Sequence, residues 1–166
     1  LELIMRQAHI TSRDRSVIAP ALERAQETGA PAAAIELPDG AIITGTTSEL
    51  LGACSAMLLN ALKELAGIPH ELHVISPESL TPICLLKTRY LGSKNPRLHM
   101  DEVLIALSAT AASDDTARKV LEQLPRLAQC QAHSSVILSE TDMKTFNRLG
   151  IQFTTEPKYE NEQSFI

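Results

Sequence analysis

The stretch Asp39–Leu65, "DGAIITGTTSELLGACSAMLLNALKEL", decides how this chain is read. Its first residues complete a Pro38-Asp39-Gly40 turn between two apolar runs, "AAAIEL" (Ala32–Leu37) and "AIITG" (Ala41–Gly45), the pattern of a β-hairpin. A corner rich in glycine and hydroxyls follows. From Ser48 to Ala66 apolar residues occupy nearly the whole circumference of a helix, with Ser48 expected as N-cap and Gly67 as stop. A helix apolar on most sides belongs in an interior.

On the N-terminal side, "TSRDRSVIAPALERAQETG" (Thr11–Gly29) reads as a helix that Pro20 should kink or interrupt. On the C-terminal side the spacing predicts a strand over "ELHVISP" (Glu71–Pro77), a helix over Ser79–Tyr90 and a polar loop, "LGSKNPRLH" (Leu91–His99). Two helices are expected next, "MDEVLIALSATAA" (Met100–Ala112) and "DTARKVLEQLPRLAQ" (Asp115–Gln129). A strand over "HSSVIL" (His133–Leu138), a helix over "SETDMKTFNRLG" (Ser139–Gly150) and a strand over "IQFTTE" (Ile151–Glu156) complete the order. A hairpin followed by strand–helix alternation predicts an α/β protein, a three-layer α/β/α sandwich around a mixed sheet of about five strands. The order resembles the cytidine-deaminase-like topology, with a helical pair inserted before the fourth strand. Residues 1–159 read as a single α/β domain and residues 160–166 as a polar C-terminal tail.

Composition narrows the partners. The chain has 166 residues, 44% hydrophobic but only 3% aromatic, so its core must be aliphatic. A net charge of −5 argues against nucleic acid, whose binding needs a basic face. The longest apolar runs fall well below the roughly 20 residues that span a bilayer, so no membrane partner is expected. Three scattered cysteines without CxxC spacing read as reduced thiols of a cytoplasmic protein. The opening "LELIMRQAHI" lacks an initiator Met and reads as part of a longer chain.

A cysteine early in the helix after a hairpin invites comparison with zinc deaminases. Their chemistry needs three ligands, an open position for water and a Glu two residues beyond the first ligand, with P-C-x-x-C supplying the others. Here the triplet is Cys54-Ser55-Ala56, and Ala56 cannot move a proton. In "TPICLLK" Pro82 and Cys84 are present, but Lys87 stands where the partner cysteine would be. No metal and no cofactor are expected, and Cys54 and Cys84 read as small buried hydrophobes. A second set, His99, Asp101, Glu102, Cys130 and His133, could hold a metal or pair a thiol with a base; helix-start acids and a strand histidine account for it as well. His133, Ser139 and Asp142 faintly resemble a zinc-peptidase motif, but its H-x-H fails because residue 131 is Gln, and Ser139 with Asp142 reads as helix capping.

Two loops carry the sharper expectation. Lys94, Asn95, Arg97 and His99 gather positive charge and donors just before a helix N-terminus, where a phosphate or carboxylate can bind. Thr44, Gly45, Thr46, Thr47 and Ser48 offer hydroxyls and N–H groups at another helix start, without the G-K-[ST] of a P-loop. Lys94, His99 and Glu102 are the candidate acid/base or charge-stabilising groups.

The strings "GAPAAAIELPDGAIITG", "LLGACSAMLLNALKELAGI", "LGSKNPRLHMDEVLIALS", "EQLPRLAQCQAHSSVILS" and "FNRLGIQFTTEPKYE" closely resemble the C-terminal portion of a family of large bacterial cytosolic proteins. That family is catalogued as domain of unknown function 1846 and as uncharacterised protein family 0371. The resemblance runs roughly from Met5 to Tyr159 and implies one domain of a protein of about 500 residues whose N-terminal region lies outside this chain. Some relatives carry the label ATP-dependent peptidase, which these residues do not support: there is no P-loop, complete triad or H-E-x-x-H. The expectation is a non-catalytic packing, oligomerisation or ligand-binding domain. Its partners would be the N-terminal domain of the same protein, a second copy and an anionic small molecule. The alternative is part of a hydrolase or transferase site at an inter-domain cleft, taking a phosphate- or carboxylate-bearing molecule. Convergence of the two loops on one pocket would favour ligand binding.

Overall fold

The computed structural model describes residues 15–158; the expected capping residues Thr11–Asp14 and the 160–166 tail lie outside them. Helix α1 (Ile18–Thr28) leads into the hairpin β1 (Ala32–Glu36) and β2 (Ile42–Thr46), then α2 (Ala53–Ala66). Helix α3 (Pro77–Leu85) runs on into a π-turn, Leu86–Tyr90. Helices α4 (Met100–Ala111) and α5 (Asp115–Leu121), a 3-10 turn at Leu124–Leu127, strand β3 (Gln131–Ser134), helix α6 (Glu140–Leu149) and strand β4 (Gln152–Thr155) complete the order. The fold is a mixed α/β with an open four-stranded sheet in the order β2-β1-β3-β4. Strand β1 is antiparallel to both neighbours, while β3 and β4, joined through α6, run parallel.

The sheet register explains the layers. Ile43, Ile35, Ala132 and Phe153 lie side by side across the four strands, and all four pack with α2 and α6 in the main core. Phe153 stacks on Phe146 of α6 at 5.0 Å. One residue along, the row Thr44, Ala34, His133 and Thr154 belongs to the opposite face. There Ala34 and Ile42 pack with Val17 and Ala21 around α1. Helices therefore cover both faces, unequally. Small residues set how closely α2 approaches. Gly45 sits against α2, and a Cβ there would fall inside contact distance of the Met57 nitrogen and Cα.

Several sequence expectations change. Among the described residues the sheet has four strands, not five, because Glu71–Pro77 forms no strand. Val74 and Ile75, adjacent in sequence, are both buried while Leu72 is 47% exposed, which breaks the period-two alternation of a half-buried strand. Pro20 does not interrupt α1: the helix starts at Ile18, and its first turn has no N–H bond for proline to remove. Ser48 is not the N-cap of α2. Its hydroxyl accepts from Leu51 N–H within a turn (3.1 Å), and Gly52 caps the helix instead. The helix expected over Asp115–Gln129 stops at Leu121, with Pro125 in the following 3-10 turn, and the third strand ends at Ser134, where Ser134 Oγ binds the chain back to Val136. The hairpin, the glycine stops at Gly67 and Gly150, and the Ser139 cap form as expected.

Candidate functional site

Two β-to-α connections leave the same edge of the sheet. After β2, residues 47–52 lead into α2; after β3, residues 135–139 lead into α6. Crevices outside the carboxyl ends of strands are where open α/β sheets take ligands. Here the loop before α4 closes the third side, since Leu51 and Leu98 form a parallel bridge and Leu98 N–H donates to Leu50 O at 2.9 Å. A cleft of about 50 Å3 results, with Thr47, Gly52, Asn95, Arg97, His99 and Asp142 among its walls. That is room for a few water-sized groups or one oxyanion.

Three helices begin at this cleft: α2 at Gly52, α4 at His99 and α6 at Ser139. Each N-terminus carries roughly half a positive charge from its aligned peptide dipoles. Helix α2 has no capping side chain, because its N-cap is glycine. The Ser139 hydroxyl accepts from Asp142 N–H at 3.1 Å, the expected cap, while the Asp142 carboxylate turns to Met100 N–H instead of completing a capping box.

Charged side chains complete the geometry. Asn95 Oδ1 accepts from Arg97 N–H (3.0 Å), an Asx-type turn that shapes the loop. Arg97 Nε donates to Ser48 O at 2.6 Å, tying the loop to the threonine corner. This leaves the terminal guanidinium nitrogens without a protein partner among the described residues. Asp142 is buried: Oδ1 accepts from Met100 N–H (2.9 Å), and Oδ2 lies 3.8 Å from His99 Nδ1. The interaction with Asp142 raises the His99 pKa above the usual imidazole value, although partial burial pulls the other way. The Thr47 hydroxyl is buried with no hydrogen-bond partner among the described residues.

Of the residues singled out in the sequence, Thr47, Asn95, Arg97 and His99 meet at the cleft. Lys94 is exposed and does not line it. Thr44 and Gly45 lie within β2, where Thr44 O accepts from Asn60 Nδ2 (3.0 Å) and Gly45 admits α2; Thr46 ends the strand. Ser48 contributes its carbonyl to Arg97 rather than its hydroxyl to a ligand. Glu102 is occupied beside the cleft: Oε1 accepts from His99 N–H and from the buried Lys87 ammonium, each at 2.8 Å. Lys87 also donates to Arg97 O, so this pair holds the loop from beneath. Asp101 caps locally, accepting from Glu102 N–H.

The other constellation is dispersed. Cys130 Sγ contacts Arg126 O (3.6 Å) and lines a wide, open hollow of about 300 Å3 at the opposite end of the sheet. Burial raises the pKa of Cys84 and of Cys130. Cys54 is buried against the cleft. Among the described residues no three His, Cys, Asp or Glu side chains are placed to hold a metal. His133 lies beneath α1, with Nδ1 2.7 Å from Thr154 Oγ1 and Nε2 3.0 Å from Glu156 Oε2. Sequence reasoning missed Asp142 as a cleft residue and Lys87 as a buried cation. Each is an isolated charge on a helix, and only the crossing of two helices supplies its partner.

This arrangement is a mixed α/β fold with a polar cleft at the strand ends of an open sheet. The chain belongs to the family described as "Domain of unknown function DUF1846, C-terminal", which it matches over residues 13–165. It is 54% identical over 162 residues to the UPF0371 protein of Corynebacterium efficiens, covering 98% of this chain and 33% of that protein. It is 43% identical over 165 residues to the UPF0371 protein of Streptococcus uberis, covering 99% of this chain and 33% of the relative. The chain thus spans about a third of the length of the curated relatives it matches, and their names state no activity. No helix among the described residues is long and apolar enough to cross a membrane.

Proposed function

We propose that this chain is a ligand-binding domain of a larger protein and that its cleft takes a small anion, a phosphate or a carboxylate. The observation that carries the reading is the convergence of Arg97, His99 and the buried Thr47 hydroxyl where three helices start. Each helix start contributes partial positive charge, and Arg97 can present a planar fork to an oxyanion. Asp142 offsets part of this charge, so the site suits one anionic group of modest affinity. Residues 1–159 are read as one domain of cytidine-deaminase-like topology, supported by the hairpin, the run of helices α2–α5 and the closing strand, helix and strand, in the sheet order β2-β1-β3-β4. The scattered spacing of the three cysteines, without CxxC, supports a cytoplasmic setting.

The His99–Asp142 pair favours a second reading, a reaction site shared with another domain. A carboxylate beside an imidazole orients it for proton transfer, which selects His99 over Lys94 and Glu102 as the acid/base group. With Ala56 after Cys54, zinc deamination stays outside both readings.

Calorimetric titration of the full-length protein with inorganic phosphate and with acetate tests the proposal. Saturable binding that Arg97→Ala weakens about tenfold or more is expected. No binding of either anion, or equal affinity in the variant, would remove the cleft from consideration.

A further inference from the structure

Helix α3 and its π-turn carry an apolar stripe on the side that faces solvent, beside the exposed Glu78, Thr81 and Arg89. Leu80 and Cys84 are buried, and so is Lys87, the cation that reaches Glu102. On the outer side Pro82, Leu85, Leu86, Tyr90 and Leu91 are all exposed, Tyr90 by 78% and Leu91 by 70%. Pro82, Leu86 and Tyr90 are four residues apart, so they form one stripe along the helix. Leu91 N–H donates to Leu86 O in the π-turn (3.1 Å), which brings those two ends together. A helix with a lysine inside and leucines outside is arranged backwards for an outermost layer. Apolar character on both sides marks an element that is covered on both, and a contiguous exposed patch of this kind marks an interaction surface.

The relatives indicate what covers it. They are about three times as long as this chain, and the matched family is a C-terminal one, so a large portion of the protein precedes this domain. The patch also continues straight into the cleft loop, since Leu91 begins the 91–99 segment that carries Arg97 and His99. We infer that the stripe Pro82, Leu86, Tyr90, with Leu85 and Leu91, is the surface on which the N-terminal portion of the same polypeptide docks through an apolar face of its own. Helix α2 offers no such surface, because it is spent on the domain's own core: Met57, Leu58, Ala61 and Leu62 are all 0% exposed. Docking on α3 places the N-terminal portion beside the cleft mouth. The inference stands whether or not the cleft binds an anion.

Photo-crosslinking of the full-length protein tests it, with p-benzoylphenylalanine replacing Tyr90. Copies labelled with light and heavy nitrogen are mixed, so that crosslinks within one chain and between chains separate by mass. Crosslinks within one chain, to residues N-terminal of this domain, are expected. Hydroxyl-radical labelling of unmodified Tyr90 should also be several-fold slower than in the urea-unfolded protein. Crosslinks only between light and heavy copies would assign the surface to a second copy and overturn the inference. So would labelling of Tyr90 at the unfolded rate.

Discussion

His99 and His133 each face a carboxylate, and the two pairs behave in opposite ways. His99 lies 3.8 Å from Asp142 in a cleft open to water, with about a third of its side chain exposed. His133 lies 3.0 Å from Glu156 under α1, with its side chain 1% exposed. In the first pair the interaction with the carboxylate outweighs burial and the imidazole is pushed up. In the second, burial outweighs the carboxylate and the imidazole is pushed down. Thus the closer carboxylate does not produce the more basic histidine; dehydration decides.

The surroundings follow the same division. Around His133 every donor finds an acceptor. Arg15 Nη1 donates to Thr154 Oγ1 (2.6 Å); with the Thr154 hydroxyl donating to Nδ1 and Nε2–H donating to Glu156, a continuous relay forms. That relay requires a neutral imidazole. Around Arg97 and Thr47 donors lack partners among the described residues. A satisfied network stabilises a fold, whereas donors left over in an open cleft are available to a ligand.

The severest disturbance should come at the sheet that both regions share. Gly45→Ala pushes a methyl into the α2 backbone and is expected to cost more than about 3 kcal/mol or prevent folding. Urea melts of the full-length protein measure this, and a wild-type midpoint would contradict the close approach of α2. Next, His133→Ala removes the centre of a satisfied buried network. A loss of about 2–4 kcal/mol is expected, with phosphate affinity unchanged; an affinity change would erase the distinction between the regions. Arg97→Ala should do the reverse, lowering phosphate affinity about tenfold or more while stability moves by less than about 1 kcal/mol.

The smallest effects are those of pH, and they carry opposite signs. His99 is raised in the folded state, so its stabilisation is complete below the ordinary histidine pKa near 6.5 and is lost as pH rises through the folded value. His133 is lowered, so its stabilisation is complete above about pH 6.5 and is lost as pH falls toward the folded value. Thermal melts between pH 5 and 8 should therefore flatten on the alkaline side in His99→Gln and on the acid side in a His133→Gln variant that folds. Sulfate, which does not titrate in this range, should bind the wild type more weakly as pH rises through the His99 pKa, and His99→Gln should lose that dependence. Parallel profiles for both variants would mean that burial does not separate the pairs.

Local chemistry was legible in the sequence, and mutual placement was not. Asp39-Gly40 between apolar runs gave the hairpin, and Gly67, Gly150 and Ser139 marked helix ends, because turn and cap energies act within about four residues. Ser48 shows where this stops. Its cap-like position is real, but Leu51 pairs with Leu98, so Ser48 closes a turn and Gly52 starts the helix. Glu71–Pro77 has the composition of a strand yet lies outside the sheet, since a strand requires a neighbouring ladder that no local pattern guarantees. Likewise Arg97 and His99 stood out as a cationic loop, while Asp142 read only as a helix-capping residue until α6 met α4.

By itself the sequence determined an aliphatic α/β chain, its hairpin and helix ends, and the absence of a proton carrier at Ala56. Tertiary structure alone decided that Thr47 and Arg97 share a cleft, that Lys87 is buried against Glu102, and that one histidine is raised while another is lowered. The first group depends on steric and hydrogen-bonding preferences among near neighbours in the chain. The second depends on which surfaces exclude water from one another, and that is fixed only when distant segments pack.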